Sequence, residues 1–154
     1  MKPVLQALVL AERIYEDALS HKKIIAGTFN EVLLQRFETR EVEQADGTKQ
    51  HEIPMVPGGS DMGSPMAYIS LTDVINGSKI SLQMVNMTKN EVLFNIDVQI
   101  QVHDRLATVE IVVPLPPIRM FVNAAGTFSL DVVCLGELLG SHRILVKQAE
   151  SRKG

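Results

Sequence analysis

One cysteine, no tryptophan, two tyrosines and five phenylalanines are all this chain offers to chemistry that depends on sulfur or on aromatic faces. A lone Cys134 closes no intrachain disulfide and assembles no thiolate zinc site by itself, so a reducing cytoplasm is the expected location. The thin aromatic content argues against stacking platforms for sugars or single-stranded nucleic acid. An excess of positive charge is missing as well. With 18 acidic against 15 basic residues the formal net charge is −3, and only residues 147–153 are locally basic. Neither nucleic acid nor a membrane is therefore an expected partner. No apolar run approaches the ~18 residues of a membrane span. Leu5 to Ala11 has the apolar character of a signal peptide, but Gln6 interrupts it and a single lysine precedes it, so it reads as a strand.

Sites for metals and nucleophiles are equally sparse. The four histidines, His21, His51, His103 and His142, show no His-x-His or His-x-x-x-His spacing. Asp17, Asp73 and Asp104 fall in loops without the alternating ligand spacing of a calcium site, and read as turn aspartates. Cys134 alternates with Val132 and Leu130 and reads as a small core residue. Ser20-His21 and Ser141-His142 are adjacent pairs, which on a strand point to opposite faces and make no nucleophile and base. The glycine-rich run Gly58-Gly59-Ser60-Asp61-Met62-Gly63 lacks the lysine of a phosphate loop. No cofactor, metal or catalytic residue is expected, and the chain leans away from being an enzyme.

What is present is a large apolar fraction, 45% of 154 residues, enough for one domain spanning residues 1–154 with its own core. Val4 to Tyr15 and Lys22 to Leu34 read as two long, mostly apolar arms paired at the centre of a buried sheet, with Gly27 a bulge or close-approach point. Val4, Leu8, Ala11, Tyr15 and Ala18 also share a helical face, but the strands that follow favour a strand here. Met66 to Thr72 is a short strand, Asn76-Gly77 a turn, and Lys79 to Val85 an alternating strand. The clearest signal is Phe94, Ile96, Val98, Ile100 and Val102 alternating with Asn95, Asp97, Gln99, Gln101 and His103, a strand with one core face and one wet face.

Ala107 to Val113 is followed by Pro114-Leu115-Pro116-Pro117, which donates little to a ladder and must be an edge or a crossing loop. Gly126 to Leu135 sets Phe128, Leu130, Val132 and Cys134 on one face. Gly136-Glu137 then fits a type II′ turn. In that register a bulge at Gly140 is needed to bring Ile144 and Val146 inside. Strand after strand without helical interludes predicts an all-β, two-layer antiparallel sandwich of Greek-key, immunoglobulin-like type.

Residues 35–64 interrupt this pattern as an inserted polar hairpin and glycine-rich loop. Asp46-Gly47 as a type I′ turn sets Val42 opposite His51, Gln44 opposite Lys49, Arg40 opposite Ile53, and Glu41 opposite Glu52. A ribbon with like charges opposed and few apolar groups does not stand alone in water.

Leu8 to Asp17, Lys23 to Asn30, Ala67 to Asp73 and Gly136 to Arg143 together resemble an uncharacterised bacterial family of small β-sandwich proteins. Its members open with an apolar, acid-ended strand and a lysine-led return into Gly-x-Phe. The similarity runs from about Leu8 to Val146 outside residues 35–64. It departs from the family at Asn123 to Phe128, where a Pro-Gly turn and an aromatic strand start are usual. The resemblance implies the sandwich fold and no reaction, ligand or catalytic residue.

The expected function is a non-catalytic binding or assembly module acting through protein–protein contacts, with self-association into a homo-oligomer foremost. Val42, His51, Ile53, Met55 and Met62, on the arm and its loop, are the candidate partner-contact residues. The competing class is a small-ligand-binding or hydrolytic protein with a pocket at one sandwich end near Asp17, His21 and Asp104.

Overall fold

In the computed structural model the described residues are 2–40, 48–55, 64–122 and 124–148, with residues 35–40 and 48–55 described as backbone. They form, in chain order, β1 (Val4–Glu16), β2 (Lys23–Thr28), β3 (Glu31–Arg40), β4 (Thr48–Met55), β5 (Met66–Thr72), β6 (Lys79–Asn86), β7 (Glu91–Gln99), β8 (Val109–Pro114), the helical turn α1 (Ile118–Phe121), β9 (Gly126–Cys134) and β10 (Glu137–Gln148). A four-stranded sheet, β2-β1-β5-β8, packs on a six-stranded one, β4-β3-β10-β9-β6-β7. The β-sandwich read from the alternation is what the chain forms. Four hairpins, β1–β2, β3–β4, β6–β7 and β9–β10, stay within a sheet, and every other connection crosses between sheets.

The inward rows meet in one apolar cluster: Leu10 from β1, Ile69 and Leu71 from β5, Leu82 and Met84 from β6, Phe128 and Leu130 from β9, and Ile144 and Val146 from β10. On β7 the wet and core faces alternate as expected, with Asn95, Asp97 and Gln99 exposed and Phe94, Ile96 and Val98 half-buried; the strand ends at Gln99, short of His103, and Ile100 just beyond it is buried. Pro114 ends β8 at the border of its sheet, and the proline-rich segment then crosses to the other sheet through α1. Proline is tolerated there because the ladder has no further neighbour to serve.

Three features depart from the sequence reading. The sandwich is not wholly antiparallel, because β10 runs parallel to β3, with Leu145 paired to Glu31 and Gln148 to Leu34. The second arm is also not one strand in a buried sheet. It breaks after Thr28: β2 borders the four-stranded sheet, and β3 begins in the other. Gly27 enables the break. Its φ is +74°, and it lies so close under Glu12 that a Cβ there would stand 2.7 Å from Glu12 Oε2. Phe29 N–H then donates to Leu10 O at 3.3 Å, and His142 Nε2 donates to the Phe29 carbonyl at 3.0 Å, pinning the crossover from both sheets.

The third departure is the β9–β10 turn. Cys134 pairs with Glu137, so the two loop residues are Leu135 and Gly136, at φ +52° and +76°. Two positive φ values in a two-residue loop match the right-handed twist of the flanking strands, which makes this a type I′ turn with glycine second. The bulge anticipated near Gly140 is present. Leu138 pairs with Val133 and Gly140 with Val132, which leaves Leu139 as the extra residue. Ile144 and Val146 are thereby turned inward, each 2% exposed. Gly140 also lets β10 approach β1, where a Cβ would collide with Leu5 Cδ2.

Candidate interaction surface

The contacts at Gly140 and at the Phe29 crossover fix how the two sheets are oriented. Gly140 meets Leu5, and further along both strands Leu10 meets Phe29, whose neighbour Asn30 accepts from Leu145 N–H at 2.9 Å. β1 and β10 therefore run the same way, and β3, parallel to β10, runs with them. At the far end of this course both sheets thin to two strands. β5 accompanies β1 only as far as the Met66–Ala11 pair, whereas β2 stays with β1 out to Glu16–Lys23. Among the described residues β10 accompanies β3 only to the Gln148–Leu34 pair, whereas β4 pairs with residues 35–40 beyond it. Two ribbons, one from each sheet, overhang the same end of the sandwich.

The β1–β2 ribbon is held by its own polar groups. Asp17 Oδ1 accepts from Leu19 N–H and Ser20 N–H, both at 2.9 Å, and these bonds hold its carboxyl below the usual range. Lys23 Nζ lies 2.6 Å from Glu16 Oε1 and, by hydrogen bond and charge, holds the Glu16 carboxyl low, with His21 adding to the effect. One face of this ribbon is apolar and wet: Tyr15 pairs with Ile24, 53% and 49% exposed, and Leu19 at the tip is 94% exposed. On the other face Ile14 and Ile25 are paired and half-buried. Below them Glu12 Oε1 is buried without a hydrogen-bond partner.

On the second ribbon the register differs from the one expected. Arg36 pairs with Glu52, Phe37 with His51, Glu38 with Gln50, Thr39 with Lys49 and Arg40 with Thr48. The connection spans residues 41–47, and the expected turn at Asp46-Gly47 lies outside the described residues. Of the candidate contact residues, His51, Ile53 and Met55 take alternate positions along β4, opposite Phe37, Gln35 and Leu33. Val42 and Met62 lie outside the described residues.

The residues of the pocket alternative are not brought together. Asp17 and His21 sit in the β1–β2 loop, whereas Asp104 lies in the loop that enters β8 at Val109. Val109 pairs with Leu71, and Leu71 with Leu5, at the opposite end of β1. At about 3.3 Å per strand residue the two loops are roughly 40 Å apart. The adjacent Ser141 and His142 divide as expected: Ser141 Oγ donates to Asp131 Oδ1 on the outer face, and His142 serves the Phe29 crossover within. Cys134 is buried, and burial, reinforced by Glu137, pushes its thiol up, away from thiolate chemistry. Among the described residues no group of three or more His, Cys, Asp or Glu is placed to hold a metal ion, and no helix is long and apolar enough to cross a membrane.

Tyr15, Leu19 and Ile24 lie in arms that, by their apolar character, read as strands of a buried sheet, which hides them as surface residues. Their signal was the density of charge around them, in Glu12, Arg13, Glu16, Asp17, Lys22 and Lys23, which a strand buried on both faces does not carry. No protein-family model matches the chain, and no curated protein does.

Proposed function

We propose that this protein is a non-catalytic assembly module of the cytoplasm that contacts protein partners, foremost a second copy of itself, through the end where the two ribbons overhang. The supporting observation is the overhang itself. A two-stranded ribbon is marginal in water unless its faces are covered, and here two such ribbons leave the sandwich side by side. Exposed Tyr15, Leu19 and Ile24 supply an apolar contact face, and His51 and Ile53 lie on the outer strand of the other ribbon, with Met55 further along β4 opposite Leu33.

Replacing residues 38–52 with a short Gly-Ser link tests the reading. Molar mass by light scattering should fall to that of a smaller assembly, and the melting temperature should fall with it. An unchanged mass and melting temperature would leave the hairpin a passive insertion and overturn the proposal.

A further inference from the structure

Among the described residues four strands border the sandwich: β2 and β8 on one sheet, β4 and β7 on the other. A border strand offers free backbone N–H and C=O groups to any passing strand, and proteins blunt it with proline, short length, bulges or inward charges. Three of the four are interrupted by proline or glycine: β8 ends in Pro114, β4 contains Pro54, and β2 carries Gly27 at φ +74° near its end. β7 is nine residues long and has neither proline nor glycine. Its one irregularity falls between the Phe94 and Val92 pairs, which leaves residues 94–99 regular.

The core is also incompletely closed along this border. Ile80, Leu82 and Met84 on β6 are at most 1% exposed, yet their partners on β7, Val98, Ile96 and Phe94, are only half-buried. Phe121 of α1 packs edge-on against Phe94, with ring centroids 5.3 Å apart. Ile96 and Val98 await a further strand that would continue the same apolar row.

We infer that β7 is a second self-association surface, pairing antiparallel with β7 of another copy about a two-fold axis at Ile96. The inference rests on the reading that the chain assembles with itself, and it adds a contact on the border opposite β4. Charge disfavours the neighbouring register. With Ile96 opposite its own copy, Phe94 faces Val98 of the second copy and Asp97 faces its Asn95, whereas an axis at Asp97 would set two carboxylates face to face. Within the chain Asp97 already accepts from Ser81 Oγ at 2.7 Å and Asn95 Nδ2 at 3.0 Å, so its charge is served on the wet face while the apolar row pairs on the other. The contact is isologous, and the six-stranded sheet becomes continuous across two copies.

The test compares wild type, the variant with residues 38–52 replaced, and Ile96→Lys, an inward charge of the kind that guards natural edges. Light scattering over a dilution series should show Ile96→Lys losing one association step, half the mass, with its circular dichroism unchanged. In wild type, alternate amides of residues 94–99 should exchange at least tenfold more slowly at about 200 μM than at about 2 μM. If Ile96→Lys fails to fold, this exchange measurement decides alone. Equal masses for Ile96→Lys and wild type, or exchange in β7 independent of concentration, would overturn the inference. Loss of mass in the hairpin variant alone leaves the overhanging-end reading standing and β7 excluded, and loss in Ile96→Lys alone does the reverse.

Discussion

β6 alternates Ile80, Leu82 and Met84 with Ser81 and Gln83, and its hairpin partner β7 alternates Phe94, Ile96 and Val98 with Asn95 and Asp97. The two patterns are equally regular, and the strands are paired residue to residue. β6 has β9 on its other side and its inward row is sealed, while β7 has no further strand among the described residues and its inward row stays half-buried. Alternation thus reports which face a residue takes, and the position of the strand within the sheet sets how deep that face lies.

The sharpest contrast comes from truncating the two inward rows. Leu82→Ala, at a site 1% exposed, should destabilise by ~2–5 kcal/mol in chemical denaturation, because the surrounding strands cannot collapse onto the gap. Ile100→Ala should fall in the same range of ~2–5 kcal/mol, since Ile100 follows β7 yet is 4% exposed and bonded through its backbone to Gly77 and Ser78. Ile96→Ala, on the open border, should cost about 1–2 kcal/mol in dilute protein, part of its side chain being already in water. Equal losses at Leu82 and Ile96 would mean that β7 is as enclosed as β6.

The wet faces differ more gently. Hydrogen bonds from Ser81 and then Asn95, with the charge of Lys79, hold the Asp97 carboxyl below its ordinary range. A depressed carboxyl stabilises the fold fully above its unfolded value and loses that contribution as pH falls through its folded value. Asp97→Asn should therefore be less stable than wild type at neutral pH, with the gap closing in acid, as denaturant midpoints measured from neutral to strongly acidic pH would reveal. The smallest effect is expected at Gln99→Ala, within about half a kcal/mol of wild type, because Gln99 is exposed at the end of β7. A larger loss there would show that the outer face of β7 is covered.

Period-two patterning made most strands readable, and even the bulge near Gly140 followed from the need to turn Ile144 and Val146 inward. What stayed hidden was set by distant contacts or by locally unfavourable choices. Gly27 reads as a bulge or close-approach point, but nothing local says that the chain changes sheets at Thr28; that break depends on Gly27 lying under Glu12 and on His142 reaching Phe29. The parallel β3–β10 pairing joins segments from opposite ends of the chain, which no local pattern encodes. Leu135 at φ +52° is a poor choice for a left-handed turn residue, so the sequence favoured the neighbouring position for the glycine. The candidate surface was half legible: the hairpin was, its register was not, and the β1–β2 ribbon was concealed by its resemblance to a buried strand.

The parallel pairing of β10 bears on how the chain reaches this fold. β10 follows every other strand in sequence, yet it sits between β3 and β9, joining β4–β3 to β9–β6–β7. On a ribosome the larger sheet must therefore wait as two fragments, each with a raw inner edge, until the strand that bridges them emerges. Closing so long a loop comes late and slowly, in the regime of roughly milliseconds to seconds typical of non-local β topologies. During that interval the nascent chain is most open to pairing with a neighbour's strand in place of its own.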